Sequence, residues 1–462
     1  MPFSLTSSSM APGDTPKREF SPRALVVAGI AVTLLLTAMV ALVAPKEPSA
    51  TRRALEAKFA ELRAKGIPVT ADEMGRALPD PPPERDARLL LREALDFPPP
   101  SRSFPKFPKF PSIMSGPAPE RGTAIPQSSM ADLESYLSTH EQRLAAIPHD
   151  LAGVRFSMGW TNGFTNLLST PGPDISRLLD LLGWKSLYEA ERGNSQKASE
   201  LLSKGFAVAG TFNGDSLVSA MLRMSGAARI CDAAEQALNR VQFTTEDLQR
   251  IDGQVKPELI DDFSNTFMVE RHFGVLQFNH MRESTRGLRG IFVNFVQRFK
   301  GANKPVYRDE DYLLFLNFNE QQLKLHSRPL LERVRGHDQI TANFTTNASS
   351  VTAEMVMPNW SRAMRAAAET KARLVALKIA LAIERFRLAN SNALPETLDA
   401  LVPNYCPASP RDPFDDQPLR YKKLPRGYVV YSIGADGVDN GGAERTNRKN
   451  MSDYDLTITV ER

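Results

Sequence analysis

A run of 21 residues without a single charge, Ala24 to Ala44, constrains this chain more than any other feature. As an α-helix rising about 1.5 Å per residue it spans about 30 Å, the thickness of a bilayer's hydrocarbon core. A helix buried in a soluble core is rarely apolar on every face. The apolar region of a cleavable signal peptide is shorter, about 7–15 residues. The run therefore reads as an uncleaved signal-anchor. No second stretch of that length follows, so a single-pass membrane protein is expected. Lys17, Arg18 and Arg23 precede the span; Lys46, Arg52, Arg53 and Lys58 follow it. Basic residues on both sides leave the orientation open, but a short basic leader tends to stay inside and long C-terminal regions translocate largely regardless of charge. The expected arrangement is a cytoplasmic N-terminus, a span in the inner membrane and the bulk of the chain in the periplasm.

Composition narrows the classes further. Charged residues make up 24% and the AVILMFWYC set 42%, values of an ordinary folded chain rather than a disordered, collagenous or polytopic one. Cys231 and Cys406 are the two cysteines, too few for a disulfide scaffold or a four-thiolate zinc site. A formal net charge of +4 gives no reason to expect a nucleic-acid partner.

The fold class expected is mainly α. It comprises one N-terminal transmembrane helix, an irregular or tetratricopeptide-like helical domain, and a small C-terminal α+β unit with an antiparallel sheet. The boundaries are a Ser/Pro-rich tail over 1–23, the span over 24–44, a juxtamembrane helix and Pro-rich linker over 45–130, the helical domain over 131–357, and a long helix plus α+β head over 358–462. In the linker, Leu55, Phe59 and Leu62 lie at helical spacing before Gly66 and Pro68. Phe104 to Pro111 repeats a Phe-Pro-Lys unit that favours polyproline II, as a spacer or a docking strip.

Helical periodicity dominates from Ala131 to about Arg335, with Leu178–Arg192 and Ser195–Gly210 forming a hairpin across a short turn. Helices are further expected over Ser216–Leu238, Phe273–Met281 and Gln321–Val334. Thr244 to Asp247 reads as a capping box. Asn359 to Ala389 is the longest soluble helix expected, and Tyr428–Ile433 and Leu456–Val460 read as strands.

Four short motifs follow in order near the C-terminus. Ile383 to Asn390 ends the long helix. Leu394-Pro-Glu-Thr-Leu-Asp-Ala-Leu401 comes next, then Pro410-Arg-Asp-Pro-Phe-Asp-Asp416 with Leu419-Arg-Tyr421, then Tyr431-Ser-Ile-Gly-Ala-Asp-Gly-Val-Asp-Asn-Gly-Gly442. Together, over Thr370 to Arg462, they resemble the head of the type II secretion system major pseudopilin. The loop Gly434–Gly442 mixes acidic and amide side chains with glycines, so it is either a solvated turn or a hard-cation site. Calcium takes about six to eight oxygens from carboxylates and loop carbonyls. The resemblance implies calcium here, on Asp436, Asp439 and Asn440, with Asp453 and Asp455 returning from the following segment. An insertion, Ala443 to Asn450, carries Arg445, Arg448 and Lys449 and weakens such a site electrostatically.

The anchor departs from the pseudopilin pattern. It has no Gly-Phe cleavage site and no acidic residue inside the apolar run, so assembly into a pseudopilus is not expected. The whole chain resembles large anchored proteins of planctomycete-type bacteria that share the Gly66-Ile-Pro-Val-Thr70-like motif and this tail.

Catalytic patterns are weak. Gly214-Asp-Ser-Leu217 spells a lipase/esterase block, but no histidine has an aspartate three positions before it. Asp215 and Ser216 read instead as helix caps. His272 and His280 are eight apart, whereas helical zinc ligands are about four apart, and both read as surface residues. Arg286, Arg289, Arg298, Lys300 and Lys304, interleaved with Phe292, Phe295 and Phe299, read as the solvated basic face of an amphipathic helix. No catalytic residue is therefore assigned. The function expected is a non-enzymatic, membrane-anchored scaffold or interaction protein with a protein partner in the cell envelope. A hydrolase assembled from distant residues and a secretion or pilus component are the alternatives.

Overall fold

The computed structural model describes residues 49–97, 120–156, 172–212, 215–285, 304–357, 359–444 and 454–462. The apolar run Ala24–Ala44 and the Phe-Pro-Lys repeat lie outside the described residues. Among those described, no helix is long and apolar enough to cross a membrane.

The first helix, α1 (Ala50–Ala64), starts at Ser49, whose hydroxyl accepts from Arg52 N–H at 3.1 Å. It ends at Gly66, which takes the left-handed conformation (φ +70°) that a side chain disfavours. Leu55 and Leu62 are fully buried, and Phe59 sets its ring edge against Tyr312 at 5.5 Å. Lys58 reaches Glu320 at 2.7 Å. This segment thus packs onto the helical body. The short helices α2 (Ala71–Ala77) and α3 (Ala87–Leu90) follow, then α4 (Gln127–Ser138) and α5 (Glu141–Ala145).

The centre is built from α6 (Gly172–Glu191), α7 (Ser195–Gly210) and α8 (Leu217–Leu238), which pack mutually. Small residues set their spacing. A Cβ on Gly226 would lie 2.8 Å from a Leu179 methyl and 3.0 Å from the Ala209 Cβ, so only glycine admits this approach. Next come α9 (Thr245–Asp252), opened by the Thr244/Asp247 capping box, and α10 (Ser264–Ser284). Then follow α11 (Asp309–His326), α12 (Leu330–Asn347), α13 (Val351–Met355) and α14 (Trp360–Ala389).

Asn359 caps α14 by accepting from Arg362 N–H at 3.0 Å. The expected single helix over Gln321–Val334 is two helices. Pro329 separates α11 from α12, because proline removes a backbone donor and its ring clashes with the preceding turn.

The tail forms one antiparallel sheet in the order β1 (Arg420–Leu424), β2 (Gly427–Ser432), β3 (Leu456–Glu461). The first of these was not expected as a strand, since Lys422 and Lys423 obscure its alternation; β2 is buried along its whole length. Helix α14 contacts α8, α9 and α12 as well as β2 and β3. One continuous cluster of buried apolar side chains runs from Leu55 to Val460, across the boundary expected near residue 358.

The outer edge of β3 would carry unpaired backbone groups, and α8 closes it. Thr459 N–H donates to Glu235 at 3.1 Å. The Asn239 amide donates to Thr459 C=O at 2.8 Å and accepts from Glu461 N–H at 2.7 Å. One side chain thereby imitates a neighbouring strand. Arg121 and Arg373 stand beside Glu235 at 3.1 and 3.5 Å. Burial nevertheless raises the Glu235 carboxyl above its ordinary value, with the two arginines opposing.

Asn239→Ala would strand a buried donor and a buried acceptor, at an expected cost of about 1–3 kcal/mol. Urea denaturation of the full chain should show a lower midpoint; an unchanged midpoint would contradict the edge-closing role.

Candidate functional site

The acidic loop leaves β2 at Ile433 and leads toward β3. Gly434 (φ +71°) and Gly442 (φ +80°) adopt left-handed backbone, and a Cβ on Gly442 would also sit 3.2 Å from the Tyr431 ring and Val429. Aspartates hold the turns between. Asp436 Oδ1 accepts from Val438 N–H at 3.1 Å, and Asp439 Oδ1 accepts from Gly441 N–H at 2.9 Å. These are local side-chain-to-backbone bonds of the kind that make aspartate a turn former. The Asn440 side-chain amide donates to Val438 C=O at 3.4 Å.

Asp455 does the long-range work. It is only 2% exposed, and its two oxygens accept from Asn440 N–H at 3.3 Å and Gly442 N–H at 2.7 Å. Its own N–H donates to Ala443 C=O at 2.9 Å. One buried carboxylate thus ties the loop's far end to the start of β3.

The structure therefore brings Asp436, Asp439, Asn440 and Asp455 into one loop; Asp453 lies outside the described residues. Burial raises the Asp455 carboxyl, the two amides oppose that rise, and the charges of Asp439 and Asp436 add to it. Tyr431 is pushed up to about 12, by burial first and then by Asp439. Among the described residues, no three His, Cys, Asp or Glu side chains form a group able to hold a metal ion. Asp436 and Asp439 turn an oxygen each toward the loop's own amides.

Beside the loop, Asp412 is a hub that its position in a turn motif did not reveal. It is fully buried and accepts from Phe414 N–H at 2.9 Å, Ser432 hydroxyl at 2.8 Å, Ile433 N–H at 3.0 Å and Arg420 at 2.8 Å. Asp415 grips the same guanidinium. The Arg-Asp-Pro turn is thereby locked to the end of β2, which fixes where the acidic loop starts.

The other residues singled out in the sequence have structural surroundings. Ser216 caps α8 by accepting from Ser219 N–H at 3.1 Å. Asp215 is buried between Asn265 at 3.0 Å and Arg155 at 3.6 Å. His272, expected at the surface, is 1% exposed, and burial lowers it to about 4. His280 is exposed. Cys231 is fully buried, and burial raises its thiol to about 12. Two tryptophans not singled out in the sequence also pack against the core: Trp360 is buried and stacks on Phe267 at 4.2 Å, while Trp184 meets Tyr136 at 5.5 Å. Gly214, Arg286, Arg289, Arg298 and Lys300 lie outside the described residues.

Compared with family models, with curated proteins and with solved structures, the chain matches none.

The two kinds of aspartate in the loop should respond differently to truncation. Asp455→Ala removes two charge-assisted backbone bonds from a buried position and should cost about 2–3 kcal/mol. Asp436→Ala, at the exposed tip, should stay within about 0.5 kcal/mol. Equal effects in thermal or chemical denaturation would contradict the division of labour drawn here.

Proposed function

We propose that this chain is a membrane-anchored, non-enzymatic scaffold or interaction protein of the bacterial envelope, with its folded body on the periplasmic side of the inner membrane. The observation that carries the reading is that Ser199, Asp247, Ser216, Asp215, Asp412 and Asp455, side chains of catalytic type, are engaged in holding the fold. Ser199 donates to Asp247 at 2.8 Å while Arg250 binds both, at 2.6 and 2.8 Å. Ser216, Asp215, Asp412 and Asp455 are tied down as described. The apolar run Ala24–Ala44 supplies the anchor in this reading, and the resemblance of the tail to a pseudopilin head supplies the envelope context.

The same reading gives the acidic loop a bound calcium ion. The charges of Asp439 and Asp436 bear on the buried Asp455 carboxyl, and a divalent cation relieves such repulsion. The resemblance adds Asn440 and Asp453 as further oxygen donors and makes calcium the ion. Binding to the folded state alone would raise the melting temperature by mass action.

Two measurements on the full chain test this. In cells carrying it, protease added to spheroplasts should degrade the body, and a short-span crosslinker applied in intact cells should give a discrete adduct of higher mass. Protection of the body in spheroplasts, or a monomer at every crosslinker dose, would contradict the proposal. For the ion, 1 mM calcium should raise the melting temperature by about 2–4 °C over chelator, on the scale of mass-action stabilisation; an unchanged temperature would leave the loop a structural turn.

A further inference from the structure

A groove of about 260 Å³ lies where the start of α8, one face of α10 and the end of α13 meet. From α10 it takes Glu270, Phe273 and Gln277, spaced so that they fall on one face of the helix. Val218 from the start of α8, with Met355 and Met357 from the end of α13 and just beyond it, makes the facing wall apolar. Val218 and Met355 leave 53% and 64% of their surface exposed, whereas most large apolar side chains of the described residues are covered. Apolar side chains left wet around a concavity mark a place where something binds.

Glu270 is the one charged residue lining this groove among those described. One of its oxygens accepts from Leu217 N–H, the first amide of α8, at 2.8 Å. Among the described residues no Lys, Arg or His pairs with it, and no second donor reaches its carboxylate. The positive end of a helix supplies about half a charge, short of a full counter-ion. Burial prevails over that one amide and raises the carboxyl to about 7.

The charged groups on the elements around Glu270 are engaged elsewhere. Asp215, ahead of α8, meets Arg155 at 3.6 Å. Glu354 on α13 meets Lys304 at 2.5 Å. On α10 itself, Arg271 lies in the field of Glu320, and His272 in those of Arg271 and Glu73.

We infer that this groove binds a small organic monocation with an apolar body, an ammonium on a ring or short chain, its charge set against Glu270 and its apolar part on Phe273, Met355 and Met357. A single carboxylate matches a single positive charge. An aromatic face attracts a cation, and unbranched methionines adapt to the body it carries. A bare metal ion would need several oxygens, which these walls do not offer. A neutral apolar molecule would cover the carboxylate without a counter-charge, and a charge so covered is costly.

The test uses the full chain in an amphipathic polymer and two probes of nearly the same shape, 2-phenylethylamine and uncharged 2-phenylethanol, in calorimetric titration. At pH 8 the Glu270 carboxyl is mostly ionised. The amine should then bind with a Kd below about 1 mM and about tenfold more tightly than the alcohol, the scale of one charge-assisted hydrogen bond. At pH 6 the carboxyl is mostly protonated, so the amine should lose about tenfold while the alcohol stays unchanged. Glu270→Gln keeps an oxygen for Leu217 N–H and, if its circular dichroism matches the parent, should abolish the preference for the amine. Met355→Lys changes only an exposed side chain and should weaken the amine about tenfold by charge repulsion, leaving the alcohol within about threefold. Equal binding of amine and alcohol at pH 8, no binding of either at millimolar concentration, a preference that persists at pH 6, or one unchanged in Met355→Lys would each overturn the inference.

Discussion

A helical stretch that is apolar or small on every side must be enclosed, and Ile379–Ile383 of α14 imposes that requirement on the rest of the chain. From Ile379 to Glu384 every residue is buried. No single neighbour can cover such a helix. The helical body covers it through α8, α9 and α12, and the sheet covers it through β2 and β3. Tyr428, fully buried in the middle of the sheet, donates its hydroxyl to Ala380 C=O at 3.1 Å. The body and the tail therefore share one core, and neither encloses its own apolar surface without the other.

Polar contacts then fix the register of that shared core. Apolar burial is non-directional, so it does not decide how the sheet sits on the helices. Glu235 and Asn239 do, by matching the hydrogen-bonding pattern of β3, and the terminal Arg462 adds bonds to Leu238 C=O at 2.7 Å and Val241 C=O at 2.8 Å and an ion pair with Glu384. The edge of the sheet is thereby closed against a further strand, a recurrent hazard of exposed edges. The opposite edge, β1, carries Lys422 and Lys423, both exposed, and charge blunts it instead.

Much of this was legible in the residues. The caps at Ser216 and Thr244 could be read because a side-chain oxygen before an apolar periodic run has few other uses. The α6–α7 hairpin followed from periodicity and a short turn. The strand β1 did not, because lysines on an edge hide the alternation that marks a half-buried strand. The burial of His272 was hidden because a histidine is compatible with either face of a helix. The acidic loop was visible from its glycines and aspartates, yet nothing local distinguishes Asp455, the buried clamp, from Asp436 at the tip. Asp412 and Asn239 were opaque for the same reason. Their long-range partners lie 20 to more than 200 positions away, and sequence spacing carries no record of such pairings.

Hydrogen exchange of the full chain tests the shared core most directly. If α14 and the edge-closing side chains join body and tail into one unit, the amides of Ile230–Leu238 in α8 and of Tyr428–Ser432 in β2 should exchange with opening free energies within about 1 kcal/mol of each other, as members of one cooperative unit do. Exchange of the sheet at much lower free energy, with α8 still protected, would show a tail that opens on its own and would contradict the account.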